Sequence, residues 1–180
     1  MNNLEQSRLI LAMIRALRKH ESWCGETHLQ KAIYFLQNLF NIKTGFNYIL
    51  YIYGPFSFDL KEKLANMIIE GEISVEKVAE PYYGPTLSVG TKADKYANIF
   101  EISDNNLIKR IKYIANKLGK SDVHELENLS TALYFRKKNP TYNKKQIAEL
   151  INEVKPHIDL PDAEKAAEKV LEIEQGASKL

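Results

Sequence analysis

Five cations and no acid fall within ten residues at Arg136-Lys137-Lys138-Asn139-Pro140-Thr141-Tyr142-Asn143-Lys144-Lys145. Such a density suits phosphate or an acidic partner, and a solvated loop between two helices explains it as well. A second group is Tyr53-Gly54-Pro55-Phe56-Ser57-Phe58-Asp59-Leu60. Glycine and proline break the strand before it, and Ser57 or Asp59 can cap a helix after it. That leaves a helix N-terminus with backbone donors beside tyrosines, a place to grip an acidic side chain or a phosphate. The aromatic residues equally well fill the corner between strand and helix.

Groups able to do covalent or metal chemistry are scattered. Cys24 and His28 make one thiol and one imidazole, two ligands short of a zinc site, and His20, His124 and His157 lie in other segments. Cys24 has no base and orienting group assigned to it by sequence, so it reads as a half-buried thiol and His28 as a surface histidine. Glu125 and Glu127, two apart on a helix, point in different directions, and Glu70 and Glu72 flank a glycine stop. Phosphate-binding loops, GxGxxG, HExxH and GxSxG motifs are missing. The expectation is no enzyme, no catalytic residue, no metal and no cofactor.

The bulk properties agree with a folded domain. The 180 residues are 44% hydrophobic and 27% charged, and the net charge is +2. A nucleic-acid coating protein is usually more basic. The small total hides an uneven distribution: +2 in each of the first two thirds and −2 in the last, so the cationic decapeptide stands in an acidic background. One cysteine allows no internal disulfide, as in a reducing compartment. The longest apolar run near the start, Leu9 to Leu17, is interrupted by Arg15, and no stretch reaches the ~20 apolar residues of a membrane helix. Ser178-Lys179-Leu180 matches a peroxisomal address, but richness in Asn, Lys and Ile reads as prokaryotic, and the expected location is cytoplasmic.

Apolar spacing predicts the elements that position these groups. Leu9, Ile10, Met13, Ile14 and Leu17 make one helical stripe over about 4–19. Thr27 caps a second helix ending near Phe40, with Leu29, Ile33, Leu36 and Leu39 buried and Gln30, Lys31, Gln37 and Asn38 off the stripe. Phe46 to Tyr53 reads as one strand. A third helix carries Leu60, Leu64, Met67 and Ile68 and stops at Gly71. Strands at Ile73 to Val78 and Leu87 to Val89 flank the loop Pro81-Tyr82-Tyr83-Gly84-Pro85. The rest is helical: about 92–100; one capped by Ser103 or Asp104; one capped by Ser121 or Asp122; one opened by an Asn143/Gln146 capping box; and a charged, alanine-rich helix, about 163–173, packing weakly or standing out from the body. Gly176 onward reads as frayed.

The predicted fold is therefore α+β, mostly α. Residues 1–90 form a winged helix-turn-helix-like region of three helices plus a small antiparallel sheet. Residues 91–158 form a helical region packed on it, and 159–180 a terminal helix and tail. The would-be recognition helix, about 59–70, offers Lys61 and Lys63 but no arginine for guanine edges, and Glu62 and Glu70 oppose them. That favours protein over DNA as the ligand of the winged shape.

His28-Leu29-Gln30-Lys31-Ala32-Ile33-Tyr34, then Phe46-x-Tyr48, then Tyr53-Gly54-Pro55-Phe56-Ser57 and Leu60 resemble the opening of the SocA-like/Panacea antitoxin domain superfamily. Glu125 to Phe135 is similar to its YwgA-like branch of uncharacterised prokaryotic proteins. The resemblance covers roughly 5–158. It implies a cytosolic, non-enzymatic protein that binds and neutralises a toxin, or a partner in phage or defence settings. Lys31, Tyr34, Tyr53, Gly54, Pro55 and Ser57 match its motif. With Phe56, all but Gly54 are the expected partner-binding residues; Lys61, Lys63, Arg136, Lys137, Lys138, Lys144 and Lys145 form a patch for nucleic acid or an acidic partner. A winged-helix DNA-binding transcriptional regulator is the alternative, and a homodimer stays open.

Overall fold

The computed structural model describes residues 1–76 and 84–180. Helix α1, Asn3–Lys19, opens with a capping box in which Asn2 and Glu5 satisfy each other's backbone N–H groups, and it buries Leu9, Ile10, Met13, Ile14 and Leu17. Helix α2, Glu26–Phe40, starts two residues earlier than Thr27 suggests. Cys24 takes a left-handed φ of 52°. Gly25 is already extended, and its carbonyl accepts from Leu29 to close the first turn. Thr27 is thus inside that turn. The expected polar face of α2 is also corrected: Gln30 and Lys31 are 1% and 2% exposed.

The single strand predicted over 46–53 is instead a tight hairpin. Strands β1 (Ile49–Tyr51) and β2 (Gly54–Phe56) pair antiparallel, with Tyr51 opposite Gly54, so Ile52 and Tyr53 form the turn. A two-residue hairpin loop normally announces itself by Asn-Gly or Asp-Gly. Here the positive φ of 80° falls on Gly54, after the turn, and the Gly-Pro pair begins a strand rather than ending one.

Ser57, not Asp59, caps α3 (Phe58–Ile69) by accepting from Leu60 N–H. Asp59 instead accepts from the backbone and side chain of Asn47 at 3.1 and 3.0 Å. Leu60, Leu64 and Met67 are buried, and Gly71 takes φ 73° as the chain leaves the helix. Strands β3 (Ile73–Glu76) and β4 (Thr86–Val89) form a second antiparallel pair, separate from β1–β2. The small sheet is therefore two hairpins. Lys77, Val78, Pro81, Tyr82 and Tyr83 of the expected wing lie outside the described residues.

The helix anticipated over 92–100 divides into α4 (Thr91–Lys95) and α5 (Ala97–Phe100), because Tyr96 leaves helical geometry. Helix α6 (Asn105–Leu118) is capped by Asp104, and α7 (Val123–Lys138) by Asp122. Helix α8 (Lys144–Val154) opens with the Asn143/Gln146 capping box. Helix α9 runs over Leu160–Ala177, past Gly176, and is anything but loose: Ala163, Ala166, Ala167, Val170 and Ile173 are buried against α7 and α8. Its alanines let the backbones approach, which a thin apolar stripe does not advertise.

The fold is α+β, mostly α. Helices α1, α2 and α3 followed by β3–β4 fit the winged-helix order, with the extra β1–β2 hairpin between α2 and α3. Helix α7 lies among α2, α8, α9 and β2, and its run from Leu126 to Leu133 is buried all round, polar residues included. No helix among the described residues is long and apolar enough to cross a membrane.

Candidate functional site

The turn of the β1–β2 hairpin is held by two buried ammonium groups. Lys31, on α2, donates to the carbonyls of Tyr53 and Pro55 at 2.5 and 2.8 Å. Lys155, one residue past α8, donates to the carbonyls of Tyr51, at 3.1 Å, and Ile52. Each carbonyl near the turn that would otherwise face a dry interior thus meets a charge-assisted donor. Gln30 continues the tie: its amide donates to Ser57 O at 2.9 Å and accepts from Ser57 N–H at 3.0 Å, as a ladder partner would. Tyr48 donates its hydroxyl to Gln30 O.

Glu127 on α7 balances this concentration of positive charge. Its Oε1 lies 3.3 Å from Lys155 Nζ and 2.9 Å from His157 Nε2. Burial pushes the Lys31 ammonium down to about 8; Glu127 opposes the shift and Lys155 adds to it. Gly54 rests on α7. A Cβ there would come within 2.9 Å of Ser130 Oγ and Thr131 Oγ1, so the close approach as well as the positive φ demands glycine.

The outer side of the hairpin, with the start of α3 beside it, is apolar and exposed. Ile49, Tyr51, Ile52, Tyr53 and Phe58 are 45 to 64% exposed. Tyr51, Phe56 and Phe58 pack as a ring cluster with centroids 5.1 to 5.9 Å apart. A large apolar patch on a backbone fixed from beneath is what a binding surface needs: complementarity without ordering cost.

The expected partner-binding residues therefore divide by depth. Tyr53 is at the surface and Phe56 half-buried, while Lys31, Tyr34, Pro55 and Ser57 are buried and build the mount. Tyr34 packs against Tyr48 with the rings tilted at 60° and 5.0 Å between centroids. Sequence reasoning misses Gln30, Glu127, Lys155 and His157 as parts of this arrangement. The one local signal is the Gln30-Lys31 pair set between apolar neighbours on α2.

The cationic decapeptide is not a free patch. Glu174 of α9 takes both Arg136, at 3.3 Å, and Lys137, at 3.0 Å. Arg136 also donates to the carbonyls of Pro140 and Tyr142. Lys144 pairs with Glu168 at 2.9 Å, Lys138 lies over the Tyr134 ring, and Lys145 is exposed. On α3, Lys61 is exposed, whereas Lys63 donates to Asn3 Oδ1 at 2.6 Å. Lys61 and Lys63 are on α3, not on the segment that carries the Arg136 group.

Cys24 is fully buried, and desolvation pushes its thiol up to about 12. His28 is also buried, its Nε2 2.9 Å from Ser121 O, and burial lowers its proton affinity. Both lie deeper than the sequence suggests.

No protein-family model matches the chain, and no curated protein matches it.

Proposed function

We propose that this chain is a non-enzymatic protein-binding module, antitoxin-like and of the SocA-like/Panacea type, which sequesters a partner protein in the cytoplasm of a prokaryote. The observation that carries the reading is the exposed apolar surface of the β1–β2 hairpin, Ile49, Tyr51, Ile52 and Tyr53, with Phe58 at the start of α3 beside it, mounted on the buried Lys31 and Lys155. Tyrosines in such a place are the usual anchors of protein interfaces. The motif residues Lys31, Gly54, Pro55 and Ser57, together with Gln30, then serve to present that tip.

Co-expression with the product of the neighbouring gene tests this. The pair is expected to co-purify, the neighbour to be toxic when expressed alone, and Tyr53→Ala with Ile52→Ser to weaken the complex about tenfold or more. A neighbour that is harmless and does not co-purify sinks the proposal. Solution mass separates capture of a partner from pairing with a second copy.

The alternative, a winged-helix DNA-binding regulator, draws support from the order of α1, α2, α3 and β3–β4 and from the exposed Lys61. The ion pairs of Arg136, Lys137 and Lys144 leave fewer cations for phosphate. It predicts a gel shift on the upstream DNA that fades steeply with salt and depends on Lys61. No shift at low salt removes it.

A further inference from the structure

A cleft of about 980 Å³ opens between α1 and α6, with the segment 100–102 also in its lining. It shares no residue with the hairpin tip. From α1 it takes Ala12, Arg15, Ala16 and Lys19, which at spacings of three and four form one helix face. From α6 it takes Ile108, Lys109, Lys112, Tyr113 and Asn116, again one face. Two adjacent helices thus present a shared groove to solvent.

The floor is apolar: Ala12, Ala16, Ile102 and Ile108 are half-buried, over the buried Phe100 and Ile111. The edges are cationic on both sides, with Arg15 and Lys19 along α1 and Lys109 and Lys112 along α6. His20 and Leu180 complete the lining, and against the four cations stand the Glu101 side chain and the α-carboxylate of Leu180. Arg15 shares Asp94 at 3.7 Å; Lys19, Lys109 and Lys112 make no ion pair among the described residues.

We infer that this cleft is a docking groove for an acidic amphipathic helix, one whose apolar stripe is flanked on both sides by Asp or Glu. Three features select that occupant. The cations line both walls, so the ligand carries two rows of negative charge; a fatty acid has a single head group and would use one end only. The floor is recessed between two helices, so a flat anionic bilayer would meet the rim and leave the floor uncovered. On α1 the small Ala12 and Ala16 allow a third helix to come close, and the lined stretches span roughly 10–12 Å, about two turns of a bound helix.

The probe is a fluorescein-labelled synthetic peptide of roughly 18 residues, about five turns, with leucines at i, i+3, i+4 and i+7 and glutamates beside them. Its twin carries lysines for glutamates. Fluorescence anisotropy with the full chain is expected to show binding of the acidic peptide that weakens as salt rises, and about tenfold or more loss for the twin. The double variant Lys109→Glu/Lys112→Glu should lose a similar factor, with an unchanged melting curve because both positions are exposed. On the unaltered protein, amide shift changes should centre on Ala12, Ala16, Ile108 and Lys112, a readout that needs no variant. Equal binding of the two peptides, shift changes centred elsewhere, or no peptide binding while palmitate or phosphatidylglycerol vesicles perturb the same amides would each overturn the inference.

Discussion

Lys155 Nζ stands 3.3 Å from Glu127 Oε1, and each of these side chains is only 6% exposed. The pair joins the end of α8 to the middle of α7, and the same ammonium reaches the β1–β2 turn. Taking two charges from water is costly, and the attraction recovers that cost only where geometry and further hydrogen bonds are good. His157 and the turn carbonyls supply those further bonds.

Breaking the pair leaves an uncompensated buried charge. Lys155→Met is expected to lower unfolding stability by about 3–5 kcal/mol in urea titrations. It should also speed amide exchange in the hairpin. A loss below about 1 kcal/mol would place the pair among weak surface bridges instead.

Lys31 makes stability depend on pH with a particular sign. Its ammonium titrates near 8 in the folded chain, because burial disfavours the charge, and at the ordinary lysine value once unfolded. Between these values the unfolded state holds more protons, so stability should rise with pH from about 8 toward 10, after lying at its lower level below 8. Tyr34 and Tyr48, whose hydroxyls burial holds above the ordinary range, act the opposite way from about 10 upward. The measurement is the urea midpoint between pH 7.5 and 9.5, paired with ε-carbon NMR titration of lysine. Lys31→Met should flatten the rise; a resonance that stays charged to pH 10 would refute the assignment.

Gly54→Ala tests the contact between hairpin and α7. The new Cβ meets a φ of 80° and two hydroxyls at 2.9 Å, Ser130 and Thr131. Strain and overpacking together should cost on the order of 3 kcal/mol. A fall in partner affinity is expected alongside, since the exposed tip rides on this backbone.

Cys24 should resist alkylation. Its thiol is fully buried and pushed to about 12, so almost no thiolate exists at pH 8. Iodoacetamide followed by intact-mass measurement should show an unmodified native chain and rapid single labelling in urea. Native labelling at a comparable rate would contradict the buried placement.

Sequence alone determined the local features: where most helices run, the capping box at Asn143, the stop at Gly71, and the apolar stripes of α1 and α3; it narrowed three further caps to pairs of neighbours, from which the fold chose Ser57, Asp104 and Asp122. These depend on neighbours within a turn or two, so residue spacing carries them. Tertiary structure decided the rest. Lys31, Glu127 and Lys155 come from three separate elements, and apart from the Gln30-Lys31 pair set between apolar neighbours nothing in the chain near them says that a cation will be buried under a hairpin turn. The hairpin itself is invisible in the sequence because Ile52-Tyr53 is no turn signature; long-range ammonium donors, rather than local conformational preference, satisfy its carbonyls. The cationic decapeptide likewise looks free until α9 brings Glu168 and Glu174 against it. Local preference sets the elements, whereas burial of charge is settled only when distant segments meet.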